Sequence, residues 1–218
     1  MKFSVESPFF SFLATLTDFV VLNLVFLITC LPIFTIGPAL CALFAVTLRE
    51  VRKESGYLIR SYVQAFRENF RRGLMLSLCY VPIGLILLYN LFFWAQLPGI
   101  IGTAATLILT LAVLIYLFSL FYVFALCARY ENSLKLSIQN SVALSLGHPR
   151  QTLTIALILA AAGFFCIMPL FRVLMLLFGF AFLAYCTSFP LTRVFSYYET
   201  SESNPAKAAF DETDSDEA

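Results

Sequence analysis

Charge is what this sequence has least of. Only 12% of its 218 residues are Asp, Glu, Lys or Arg, while 61% are hydrophobic. A soluble domain carries about 25% charged and roughly 45–50% apolar residues. The deficit is concentrated in runs. No charged residue occurs from Gly73 to Ala128, from Gln151 to Phe171 or from Val173 to Thr192, and between Ser7 and Leu48 Asp18 stands alone. Such runs exclude an ordinary water-soluble domain. Histidine is almost absent too: His148 is the single one, and none of the six cysteines (Cys30, Cys41, Cys79, Cys127, Cys166 and Cys186) forms a Cys-x-x-Cys pair. Ligand spacing therefore supports neither a metal site nor a disulfide, and cysteines in apolar runs read as small hydrophobes. Gly-x-Ser-x-Gly, His-Glu-x-x-His and Gly-x-x-x-x-Gly-Lys-Ser/Thr are all missing, so no motif names a catalytic residue, a cofactor or a metal.

What is present is hydrocarbon length. A helix that crosses a bilayer needs about 20 predominantly apolar residues, and each run supplies them. In lipid a segment must satisfy its own backbone hydrogen bonds, and the continuously apolar runs lack the alternation of a barrel strand. The fold class expected is all-α: a polytopic transmembrane helical bundle over residues 1–198. Its first helix runs from about Phe9 to Cys30. A cleaved signal peptide fits poorly there, since Glu6 and Asp18 interrupt the apolar stretch and no small-residue cleavage site follows. Leu31-Pro32-Ile33-Phe34-Thr35-Ile36-Gly37-Pro38 then breaks the chain, because proline removes a donor and restrains the residue before it. Pro38 suits the first turn of the next helix. That helix, Pro38 to about Glu50, is short; it reads as a tilted span, a re-entrant element, or a span completed by extended residues before it. Later spans are expected at Gly73–Trp94, Ile101–Ala128, Gln151–Leu170 and Val173–Thr192. The total is six spans, or five plus a re-entrant helix.

Basic residues set the expected orientation. Seven Lys or Arg lie between Arg49 and Arg72 and three between Arg129 and Arg150, while the turn at 94–101 has none. By the positive-inside rule both long connections face the cytoplasm. The C-terminus then does as well, and so does the N-terminus if residues 38–50 cross. Both connections read as cytoplasmic amphipathic helices in the headgroup plane. Leu58, Tyr62, Phe66 and Phe70 recur at i, i+4, as do Leu134, Ile138, Val142 and Leu146. The constant offset of 76 residues suggests an internal repeat of helix, surface helix, helix. The hydrophobic stripes call for lipid or protein cover, which argues against a nucleic-acid face. Residues 199–218, with seven acids and one lysine, read as a disordered acidic cytoplasmic tail.

Asp18 is the outstanding polar residue. A carboxylate inside a span is costly unless paired, solvated or protonated, and such residues often mark pathways; a place near the headgroups is the plainer reading. Asn90 and Arg172 are expected to snorkel or bond locally, and His148 sits at the entry to a span.

Leu22-Asn23-Leu24, Leu31-Pro32-Ile33, Thr35-Ile36-Gly37-Pro38-Ala39 and Leu43, followed by Ala65-Phe66-Arg67-Glu68-Asn69-Phe70-Arg71-Arg72, resemble the YesL family of bacterial membrane proteins of unknown function. The similarity extends over residues 10–195, with its distinctive motifs in the first third. The resemblance implies the bacterial cytoplasmic membrane and, by association with genes for carbohydrate uptake, a role beside sugar import. Together these features single out Asp18, Asn23, Pro32, Thr35, Gly37, Pro38, Asn69, Arg71 and Arg72 as candidate functional residues. The function expected is a non-enzymatic accessory or regulator of carbohydrate transport, with the lipid bilayer and a transporter complex as partners. Two alternatives remain: a small transporter using Asp18 and the broken 31–38 region, and a membrane enzyme acting on lipid or a lipid-linked sugar.

Overall fold

In a computed structural model of the chain, residues 8–54, 56–130, 133–167 and 169–203 are described, with side chains over 16–54, 56–130, 133–167 and 172–197. The helices are α1 (Pro8–Cys30), α2 (Ile36–Val51), α3 (Leu58–Ala95), α4 (Ile100–Arg129), α5 (Leu134–Gly147), α6 (Pro149–Phe165), α7 (Pro169–Leu174) and α8 (Phe180–Ser203). A 3-10 turn, Ile33–Thr35, precedes α2, and a π-helical turn, Met175–Gly179, joins α7 to α8. No strand occurs among the described residues, in keeping with the all-α expectation.

Among the described residues, four helical stretches are long and apolar enough to cross a membrane: Ile33–Val51, Leu58–Ala95, Ile100–Arg129 and Arg172–Tyr197. Leu16–Cys30 and Pro149–Phe165 are apolar but shorter. The chain thus has the helices of a membrane protein.

The short second helix forms the centre of the fold. From Gly37 to Leu48 every residue of α2 except Leu40 is buried, and α1, α3, α4 and α8 all pack on it. Small residues explain this position. Gly37, Ala39, Cys41, Ala42 and Ala45 let neighbouring backbones come close, which is how helices associate where lipid is as apolar as the side chains. The closest approach is to α3. A Cβ added at Gly73 would lie 2.7 Å from both Pro38 N and Pro38 Cα, and one added at Gly37 would overlap Ser77 Oγ and the Gly73 carbonyl. Only glycine fits at either position. The residues ahead of α2 that complete its apolar length are a 3-10 turn rather than extended chain.

α2 ends in a left-handed turn. Lys53 has φ 57°, Lys53 N–H donates to Glu50 O and Glu54 N–H to Arg49 O. This is the Schellman pattern, with lysine where glycine is usual.

Three expectations need correction. The first basic connection is not a separate surface helix: α3 runs unbroken for 38 residues, roughly 57 Å at the helical rise. Gly73 does not interrupt it, because the crossing with α2 holds it in place. Its buried face is Tyr62, Ala65, Asn69, Gly73, Leu76, Tyr80 and Gly84, spaced by three and four, so Leu58, Phe66 and Phe70 lie on the flank. In α5 the inward residues are Ser137, Ser141, Leu144 and Ser145, while Leu146 of the apolar ladder is 58% exposed. Serines win there because they are small enough to bring α5 against α4 and carry hydroxyls that find buried partners. Finally, Arg172, left between the spans expected at Gln151–Leu170 and Val173–Thr192, belongs to helix α7 and bonds locally. Its Nε donates to Cys166 O at 2.8 Å and its Nη2 to Ile167 O at 3.4 Å, which satisfies carbonyls at the end of α6. Asn90 bonds locally, to Ile86 O at 2.8 Å. α8 continues through Ser203; residues 204–218 of the expected acidic tail lie outside the described residues.

Candidate functional site: a charged groove beside α1 and α3

The candidate residues do not converge on one centre. Four of the nine, Asn23, Thr35, Gly37 and Pro38, hold helices together.

Asn23, fully buried, inserts its amide into another helix. Its Nδ2 donates to Leu176 O at 2.7 Å, and its Oδ1 accepts from Ala181 N–H at 3.0 Å. These two backbone groups are the pair an i→i+5 bond would join across the π-turn. A widened turn leaves backbone groups in need of partners, and Asn23 offers one donor and one acceptor at that spacing. Phe19 and Phe26 flank it on α1, edge-on to Tyr185 at 5.2 Å and tilted against Phe180 at 5.9 Å.

Thr35 locks the break. Its hydroxyl lies 2.6 Å from the carbonyls of both Thr29 and Pro32, sharing one proton between the last turn of α1 and the bend. Thr29 Oγ1 is in turn 2.6 Å from Tyr62 Oη, which ties the break to α3. Pro32 is exposed at the bend, whereas Gly37 and Pro38 are buried against Gly73. Asn69 is buried on α3 and donates to the carbonyl of Ala65 at 3.0 Å. Arg71 is exposed and Arg72 partly exposed, with Arg72 lying near Cys127 of α4.

Asp18 stands apart from these. It is exposed and lines a groove of about 980 Å³ with Tyr57, Arg60, Gln64, Arg67 and Glu68 of the α3 end. Gln64 Nε2 donates to Glu68 Oε1 at 2.9 Å across one turn. The groove therefore carries both signs of charge on an apolar floor that includes Leu58, Ile59 and Val63. Such a surface suits a polar or peptide partner. Among its described residues no nucleophile is paired with a base, and no group of three or more potential metal ligands occurs among the described residues.

Buried hydroxyls were the part sequence reasoning missed. Tyr80 Oη, Ser119 Oγ and Ser141 Oγ form a closed triangle with sides of 2.7, 3.0 and 2.8 Å joining α3, α4 and α5. Tyr116 Oη donates to Tyr80 O at 2.9 Å beside it. Tyr122 Oη and Thr152 Oγ1, 3.1 Å apart, tie α4 to α6, and Ser188 Oγ meets Thr47 Oγ1 at 2.9 Å between α8 and α2. The available signal was the i, i+4 spacing of Ser137, Ser141 and Ser145, a small polar stripe of the kind that brings helices together in lipid. His148, between α5 and α6, lies edge-on to Tyr197 with ring centroids 5.7 Å apart, and burial pulls its pKa below the ordinary value.

No curated protein and no solved structure matches the chain. A family model does, over residues 19–91, and its description is protein of unknown function, DUF624. The matched stretch begins on the inward face of α1 and ends near the far end of α3. It takes in the Asn23 amide, the Thr35 lock, the Gly37–Gly73 crossing and the α3 side of the groove. Residues 19–91, about a third of the chain, are thus similar to the DUF624 domain, in keeping with the resemblance of its first third to the YesL family.

Proposed function

We propose that the chain is a multi-pass protein of the bacterial cytoplasmic membrane that assists or regulates solute transport without catalysing a reaction itself. Carbohydrate uptake is the class its YesL-like motifs imply. Six segments cross or enter the bilayer, the basic connections and both termini lie in the cytoplasm, and the Asp18–Arg67 groove is the surface that meets a transporter's cytoplasmic side.

One observation carries this reading. Asn23, Thr35, Gly37, Pro38 and Asn69 are engaged in helix packing or in bonds to backbone, whereas the charged residues of the groove are turned outward. The polar chemistry open to a ligand is therefore a recognition surface. Its orientation follows from the arginines between Arg49 and Arg72, because basic loops remain on the cytoplasmic side.

The test has two parts. Deleting the gene should lower uptake of a particular glycan, and the full chain purified in mild detergent should bring down importer subunits. Reversing the groove's charge with Arg60→Glu and Arg67→Glu should abolish that co-purification while the melting temperature holds. Normal uptake across a broad carbon-source panel, together with purification as a solitary chain, would sink the proposal. Solute flux in proteoliposomes of the isolated chain, lost in Asp18→Asn, would replace it with the transporter reading.

A further inference from the structure

A second polar cavity, separate from the groove, lies where α2 and α4 end. It measures about 250 Å³ and is lined by Arg49, Arg52, Arg129, Tyr130 and Leu48. Arg49 occupies the last turn of α2, Arg52 is its C-cap, and Arg129 is the final residue of α4. Three guanidinium groups thus come from two different helices to one small space. Arg129 is fixed in direction by aromatic faces, its Cζ 5.7 Å from the Tyr130 ring centre and 5.2 Å from that of Phe195 on α8. Arg52 is held from the side by Glu54, Nε to Oε1 at 2.8 Å.

An arginine at a helix C-terminus complements the helix dipole, but that role is served by side chains splayed apart. Convergence adds something else: guanidinium groups from two helices line one cavity, where a single anion can accept hydrogen bonds from both helices at once. The planar guanidinium fork matches the oxygens of phosphate. The location narrows the source. Among the described residues, α2 and α4 belong to two of the four stretches long and apolar enough to cross a membrane, and a crossing by both would put their shared end at the level of lipid phosphates. Basic pockets between membrane helices on the cytoplasmic side bind anionic headgroups.

We propose that Arg49, Arg52 and Arg129 form a binding site for the phosphate of an anionic phospholipid headgroup. The inference rests on α2 and α4 crossing the bilayer, and it is independent of any transporter bound at the groove. The full chain in mild detergent is titrated with phosphatidylglycerol, with phosphatidylcholine and with inorganic phosphate, following bound lipid by native mass spectrometry and stability by thermal unfolding. Phosphatidylglycerol should be retained and raise the melting temperature; phosphatidylcholine should do neither. The double variant Arg49→Gln/Arg52→Gln should bind phosphatidylglycerol at least about tenfold more weakly, as expected for losing charge-assisted bonds. Its lipid-free melting temperature should stay near that of the parent, since Arg49 is exposed and the Arg52 side chain pairs with an exposed Glu54, a surface ion pair of small net worth. Arg60→Gln, in the groove, should bind like the parent. Unchanged affinity in the double variant, or an equal loss in Arg60→Gln, would overturn the site. Stabilisation by inorganic phosphate equal to that by phosphatidylglycerol would overturn the lipid assignment. Importer co-purification is a separate readout, so either proposal can fail alone.

Discussion

α3 and the α5–α6 pair begin 76 positions apart, at Leu58 and Leu134, yet one is a single rod and the other is broken. The difference lies at one pair of positions. Gly73 in α3 stands 76 residues before Pro149, the first residue of α6. Glycine lacks a Cβ and so lets α3 cross the start of α2 at backbone contact distance. Proline has no amide to donate and disfavours helix in the residue before it, and His148 accordingly has φ −122° and ψ 69°. The ladders on either side still correspond: Ala65 and Asn69 are buried in α3, as are Ser141 and Ser145 in α5, each 76 apart. Similar faces thus make a continuous strut in one case and a hinged pair in the other, according to which residue meets the neighbouring helix.

The largest effect should come from the crossing itself. Gly73→Ala places a Cβ against the Pro38 backbone, where nothing flexible can yield. We expect a loss of about 2–3 kcal/mol from overpacking, read by thermal unfolding in detergent. Pro149→Ala, at the corresponding position, should change stability by less than about 1 kcal/mol. Equal losses would mean that the contrast between the two regions is not set at this pair. Next comes the link between the regions. Tyr80→Phe removes the hydroxyl joining α3 to both Ser119 and Ser141, leaving two buried serines to bond each other. A destabilisation of about 1–2 kcal/mol is expected, and it should shrink in a background already carrying Ser119→Ala and Ser141→Ala. Smaller still, and opposite in sign, is Lys53→Gly. It relieves the left-handed turn that begins the α2–α3 connection and should stabilise by about 0.5–1 kcal/mol.

The smallest effect is one of pH. Burial lowers the His148 pKa, so the unfolded chain binds this proton first as pH falls. Stability should decline as pH drops below the ordinary histidine value, about 6.5, and level off below the folded-state value. His148→Gln should flatten that stretch of the profile. A decline that persists in the variant would assign it to another group.

Composition and charge placement made the helices legible, because an apolar run of twenty residues has few other fates. Proline and glycine marked the break between α1 and α2, and arginine placement marked the basic connections. The packing was harder to read. Nothing in the order of residues says that Gly73 will sit in a crossing rather than end a helix, since glycine does both. Nor does periodicity alone choose between the leucine ladder and the serine stripe of α5. That choice depends on α4 presenting Ser119 where a hydroxyl is needed. Asn23 was visible as unusual, but its partner lies more than 150 residues away on a turn whose π-geometry no local pattern announced. Arg49, Arg52 and Arg129 were counted for orientation, and their meeting follows only from how α2 and α4 pack.

The amide of Asn23 also acts as an index mark for the last helix. A π-turn carries one residue more than an α-turn, which rotates everything beyond it by about 100°. Ser188 faces Thr47 and Phe195 faces Arg129 only with that rotation in place. If Asn23 is replaced by leucine and the turn tightens, the C-terminal half of α8 is dialled to a different face. A residue in the first helix thereby holds the turn that sets the phase of the last one.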